Sequence, residues 1–220
     1  MGWNLTDAKN PHEEELDKLF KAAKSAGRTA HLLIVLAYNG ALRVSEALHV
    51  RVSDFNWSTS RMRMVPFKKA GRRRVKQNDG SFKAVDRDLP AAIEYPLPVS
   101  VVKMVREYVE AEGLKPSSWL FPGRTGRGGC HIVKLECPGG HMSKRNGQKI
   151  WDAVCEKAGI KVPGRGIHSL KHARGTEIAR KTKDPYLVKE MLRHGSVSMS
   201  DHYVKYVNIK EQVDDIGGRF

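Results

Sequence analysis

The sequence predicts a mostly α domain of the α+β class with one small antiparallel sheet, and three observations predict it. Apolar residues return at helical spacing through most of the chain. The single stretch Arg61 to Phe67 alternates Arg with Met as a half-buried strand does, and Asn78-Asp79-Gly80 is a turn signal set in a basic segment. With 220 residues the chain is long enough to bury a real core.

Each element has its own warrant. From His12 to Lys24, the residues Leu16, Leu19, Phe20 and Ala23 form one stripe of an amphipathic helix. Its first turn, Glu13 to Glu15, is acidic, as the helix dipole favours, and Gly27 ends it. Thr29 to Tyr38 is a second, more apolar and therefore buried helix. It stops at Asn39-Gly40 and delivers Arg43 to the start of another helix. Ser53 to Ser60 is turn-rich. In the strand that follows, basic side chains take one face while Met62 and Met64 take the other. The run KKAGRRRVK holds six basic residues among nine, with Gly71 placed for a hairpin tip. The turn at Asn78 makes Arg72 to Val85 an added hairpin. Val99 to Ala111 is an amphipathic helix closed by Gly113, Pro122 to His141 is a glycine-dense loop, and Ser143 caps a helix through Lys157 with Ile150, Trp151 and Val154 inward.

After a link from Gly159 to Gly166 comes the densest concentration of chemistry. His168, Lys171 and His172 stand at i, i+3 and i+4, which puts them on one polar, cationic helix face, with Leu170, Ala173, Ile178 and Ala179 on the opposite stripe. Asp184 caps a further helix with Pro185 at its first position, Leu187, Val188, Met191 and Leu192 are its apolar positions, and Gly195 ends it after His194. Tyr203 follows a short helix later, so His194 and Tyr203 are both expected at element ends.

Composition narrows the function. Lys plus Arg is 39 against 24 Asp plus Glu, a formal net charge of +15, which predicts a polyanionic partner, nucleic acid first; a basic ribosomal or membrane-surface protein shares that balance. Cys130, Cys137 and Cys155 form no even disulfide framework. The longest apolar run, Leu32 to Ala37, is far too short to cross a bilayer, so the expectation is a cytoplasmic protein with no membrane partner. Two metal readings are open and weak. His168 and His172 have the spacing of a zinc pair with His194 as a third ligand, but the glutamate of an H-E-x-x-H site is absent. Cys130, His131, Cys137 and His141 are irregularly spaced. The expectation is no metal and no cofactor.

Three stretches carry a resemblance: HSLKH from His168 followed by LRH at Leu192 and Tyr203 nine residues after His194; NGALRVSEAL from Asn39; and FKKAGRRR from Phe67. The chain resembles the catalytic domain of tyrosine recombinases, the phage integrase family, over roughly residues 12 to 210. The family pattern is H-x-L-R-H, then L-G-H, then a tyrosine nine residues on, with an upstream G-L-R-x-S-E box and a lysine-bearing β-hairpin. The resemblance implies the fold already predicted, double-stranded DNA as partner, and breakage and rejoining of DNA strands through a 3′-phosphotyrosine.

It also implies roles. A phosphodiester can be broken without a metal if a phenol oxygen attacks in line, cations hold the non-bridging oxygens, and an acid protonates the leaving oxygen. Tyr203 would be the nucleophile, with Tyr206 one turn on as competitor. Arg43 would clamp the phosphate with Glu46 as its acidic partner, and His168 and His194 would donate hydrogen bonds or manage the nucleophile's proton. Lys69 would be the general acid, Lys68 the alternative. Lys68, Arg72, Arg73 and Arg74 would meet DNA phosphates. Lys171 stands where the family has its second arginine; either it serves as it is, or Arg174 substitutes, or activity is impaired and the protein only binds DNA on a degenerate fold. Residues 12–220 are expected to form the catalytic domain and 1–11 a lead-in, with the family's N-terminal core-binding domain absent. The segment Val204 to Phe220 is expected to pack on a neighbouring protomer.

Overall fold

The computed structural model describes residues 11–65, 71–77, 81–87, 92–123 and 140–216, with backbone alone for 71–76, 82–87 and 210–216. In chain order the elements are α1 (Glu13–Ala26), α2 (Arg28–Asn39), α3 (Val44–Leu48), β1 (Phe55–Asn56), β2 (Arg61–Met64), β3 (Gly71–Lys76), β4 (Phe82–Arg87), β5 (Ile93–Pro96), α4 (Val99–Ala111), α5 (Lys144–Lys157), α6 (Ser169–Thr182), α7 (Pro185–Leu192) and α8 (Ser198–Ile216). The chain divides into two units, 1–43 with 148–220, and 44–147.

The first unit is helical. α1 starts where the His12 backbone N–H donates to Glu15 Oε2 at 3.0 Å, and its buried side is Leu16, Leu19, Ala22 and Ala23. α2 is buried along nearly its whole length, from Ala30 to Tyr38, as its composition predicts. At its end the Gly40 N–H closes on Leu36 O, and there is no room for a side chain: a Cβ on Gly40 would lie 2.9 Å from Leu42 Cγ. The left-handed step is taken by the next residue, Ala41, at φ 45, and the chain leaves the turn directly into Arg43. Around this turn packs a core of Ala41, Ile178, Ala179, Val188, Leu192 and Tyr203, extended by Val204 and Val207 of α8.

The second unit carries the sheet. β1, β2 and β5 pair antiparallel in that order, with Met62 opposite both Phe55 and Tyr95. Met62 and Met64 are buried while Arg61 and Arg63 are exposed, the two faces that alternation predicts. Between β2 and β5 the added hairpin is present as β3 against β4, in register from Gly71 opposite Arg87 to Lys76 opposite Phe82. The Gln77 N–H bonds Ser81 O at 2.8 Å, one step past the last ladder pair. α4 buries Val101, Val102, Val105 and Tyr108 over its predicted span.

Four local expectations are corrected. Gly71 is the first paired residue of β3, not a hairpin tip. α7 is not ended by Gly195: Arg193 turns left-handed at φ 56, and the His194 N–H closes back on Lys189 O. Tyr203 is not at an element end, because Ser198 already starts α8 and Tyr203 lies in its second turn. The face holding Lys171 is not a solvated one: Lys171 is 2% exposed and His172 half-buried, because α2, α7 and α8 all pack on α6.

Candidate active site

All the groups that meet around Tyr203 belong to the first unit. The Tyr203 hydroxyl lies 2.6 Å from His172 Nδ1, and the two rings are nearly parallel at 18° with centroids 6.1 Å apart. His194 lies against the same phenol at 5.7 Å and 29°, and its Nδ1 is held 2.8 Å from Ser200 Oγ, which is buried in α8 three residues before Tyr203. His168, the residue ahead of α6, meets His172 edge-on at 4.8 Å. α6 allows this approach because Gly175 has no side chain: a Cβ there would sit 2.8 Å from Tyr203 Cε1 and 2.6 Å from Leu192 Cδ1.

Electrostatics explain the protonation states. Tyr203 is 4% exposed, and burial pushes its hydroxyl above the ordinary phenol range while the charge of Arg43 works against that rise. His172 is driven down to about 4, first by burial and then by the positive charges of Lys171 and Arg43. At neutral pH both partners are therefore uncharged. With the His172 proton on Nε2, the phenol donates to Nδ1.

The cations are anchored on main chain. Lys171 Nζ donates to Ala41 O at 2.9 Å and to Leu192 O at 2.6 Å. Arg193 Nη1 donates to Gly40 O at 2.9 Å and Nη2 to Ala41 O at 2.5 Å. Arg174 is engaged elsewhere: it pairs with Glu177 and lies 5.6 Å from the Tyr38 ring centre, and Tyr38 donates to the same carboxylate at 2.8 Å. Burial would raise the Glu177 carboxyl, but hydrogen bonds from Lys181, Tyr38 and Arg174 outweigh it and hold it at about 2.

The structure thus gathers Arg43, His168, Lys171, His194 and Tyr203 in one unit. Glu46 is on α3 of the other unit, 1% exposed. Lys68 and Lys69 lie outside the described residues. So do the side chains of Arg72, Arg73 and Arg74, whose backbone runs in β3. Sequence reasoning assigned no part at the phenol to His172, Ser200, Gly175 or Arg193. His172 had a signal, four residues after His168 on the same face. Arg193 had a subtler one, a long cationic side chain at a helix end where glycine is the usual residue. Among the described residues no group of three or more His, Cys, Asp or Glu is placed to hold a metal ion. No helix there is long and apolar enough to cross a membrane.

Fold and site together define a helical domain with a minor sheet that holds a tyrosine among histidines and basic residues, and solved structures share that fold. The XerH site-specific recombinase bound to palindromic difH substrate aligns with TM-score 0.61 at 18% identity, over 93% of this chain and 52% of that one. The catalytic domain of bacteriophage HP1 integrase aligns with TM-score 0.56 at 14% identity, over 90% of this chain and 87% of that one. Among curated proteins, tyrosine recombinase XerA of Pyrococcus furiosus is 25% identical over 207 residues, which are 92% of this chain and 59% of the relative. The profile of the Phage integrase family matches residues 9–208, and the chain belongs to that family. It spans 49% to 59% of the length of the curated relatives it matches.

Proposed function

We propose that this chain is the catalytic domain of a tyrosine-type site-specific DNA recombinase, acting in the cytoplasm on double-stranded DNA. The observation that carries it is the Tyr203 phenol, 2.6 Å from His172, stacked by His194 and within the field of Arg43. The Tyr203 oxygen attacks the phosphorus in line as its proton passes to His172 Nδ1. The bond from phosphorus to the 5′ oxygen breaks, and that oxygen departs as a hydroxyl after taking a proton from a general acid, for which Lys69 is the candidate. The DNA 3′-phosphate is then esterified to Tyr203. The ester keeps the energy of the broken bond, so a second 5′-hydroxyl can reverse the reaction without ATP. Arg43 holds the non-bridging oxygens, whose added charge in the transition state fixed donors stabilise without reorganising.

The relatives' names and the +15 charge support this reading. Self-association on DNA through residues 204–220 belongs to the same proposal. The test is a duplex with a nick beside the cleavage point, incubated in EDTA and run on a denaturing gel. Wild-type protein gives a slow-migrating covalent adduct, and Tyr203→Phe binds DNA but gives none. Absence of adduct from wild type leaves DNA binding alone. Activity lost on chelation and restored by zinc moves the chemistry to a hydrolase using His168, His172 and His194.

A further inference from the structure

The chain departs from the family pattern at three places, and the three meet. Lys171 stands for the arginine of H-x-L-R-H, Arg193 for the glycine of L-G-H, and Ala41 for the glycine of G-L-R. In the structure Lys171 Nζ and Arg193 Nη2 both donate to the carbonyl oxygen of Ala41, at 2.9 and 2.5 Å. Arg193 also holds Gly40 O, and Lys171 also holds Leu192 O, the last carbonyl of α7 next to Arg193 itself. The bonds close a ring that ties the end of α7 to the turn after α2, two residues before Arg43.

From this ring we infer that Arg193 is a positioning residue for the reaction: Lys171 and Arg193 act together as one split cation that fixes the turn carrying Arg43 beside Tyr203. The proposal rests on the recombinase reading. A lysine offers a charge without a planar fork, and at position 171 its ammonium is engaged with Ala41 O and Leu192 O, one on each side. Arg193 supplies the fork from the other side. Two cations can share this space because the carbonyls they hold, Gly40 O and Ala41 O just past α2 and Leu192 O at the end of α7, lie at the negative ends of two helices. The Lys171 charge is felt beside the nucleophile, where it helps to keep His172 uncharged.

A side chain at φ 56 is the second observation. A non-glycine residue in the left-handed region costs about 1–2 kcal/mol, so closing α7 alone would favour glycine. Arginine at that site has to gain through its side chain, and its two bonds to Gly40 O and Ala41 O are where it does so.

The experiment compares wild type, Arg193→Gly, Lys171→Arg and the double variant in two readouts: the rate of adduct formation on the nicked duplex at saturating DNA, and thermal unfolding. Arg193→Gly should slow adduct formation by about tenfold to a hundredfold, the scale of a small misplacement of a catalytic group, with DNA affinity unchanged. Lys171→Arg with Arg193→Gly places the fork at 171 and should recover most of that rate. Arg193→Asn, which tolerates left-handed backbone, replaces Arg193→Gly if the latter folds poorly, and should be equally slow. An Arg193→Gly protein as fast as wild type overturns the proposal, as does a double variant no faster than the single one. If wild type forms no adduct, the recombinase reading falls. Melting then decides the ring: shifts that add for the two single changes overturn it, and a double shift that departs from their sum sustains it.

Discussion

A buried phenol whose hydroxyl is pushed above its ordinary range attacks nothing until charge and geometry favour its anion. At the scale of residues, the proposed role of Tyr203 depends on an uncharged His172 at 2.6 Å and on Arg43. That dependence has a pH consequence. His172 has a folded value of about 4 against an ordinary 6.5, so between those values the unfolded chain binds the extra proton. The stability it contributes is complete above pH 6.5 and is lost as pH falls toward 4. The loss is on the order of 3 kcal/mol for a shift of that size. His49, in the other unit, is also held at about 4 and adds to the same window. Melting followed against pH should fall across that range in wild type and fall less in His172→Gln. Ala41, at φ 45 with its side chain buried, gives a second expectation: Ala41→Gly should raise the unfolding free energy by about 1 kcal/mol in urea titration. Arg43, His168, His194 and Tyr203, which the structure brings into one unit, were named in the sequence through the resemblance, whose motifs carry them. The work of His172 and Arg193 was not, because it depends on which helices pack against α6 and α7.

At the scale of elements, α6 is built around an absence. Glycine inside a helix costs about 1 kcal/mol relative to alanine, yet Gly175 gives Tyr203 and Leu192 their place against the helix. Gly175→Ala should therefore lower stability by about 1–3 kcal/mol through overpacking, despite its better helix propensity. Because the displaced ring is that of Tyr203, adduct formation should fall far more than DNA affinity does. Helix spans were readable from apolar periodicity, α4 above all, and the pairing of β3 with β4 from the Asn-Asp-Gly signal between them. Helix ends were less so. α7 stops on Arg193 rather than Gly195 because side-chain bonds to a distant turn offset a local backbone cost, and no window of sequence contains both partners. Lys171 misled for a similar reason: a lysine at helical spacing with two histidines suggests a wet face, until two helix ends supply carbonyls to bury it.

For the whole molecule, the charge of +15 and the run KKAGRRRVK predict binding dominated by phosphates. If about six phosphates are neutralised, log affinity should fall against log salt with a slope of about −5, measurable by fluorescence anisotropy on a labelled duplex. A flat response would remove the basic surface from the account. Family and fold were legible through the resemblance, which two boxes at a fitting separation carry. The central claim is that Tyr203 carries the DNA, and peptide mapping of the covalent adduct tests it most directly. Trypsin cuts after Lys205 and so separates Tyr203 from Tyr206. Tandem mass spectrometry of the trapped complex should find the nucleotide phosphate on the peptide from His194 to Lys205, at Tyr203. Finding it on the peptide that begins at Tyr206, or on no tyrosine at all, would contradict the account.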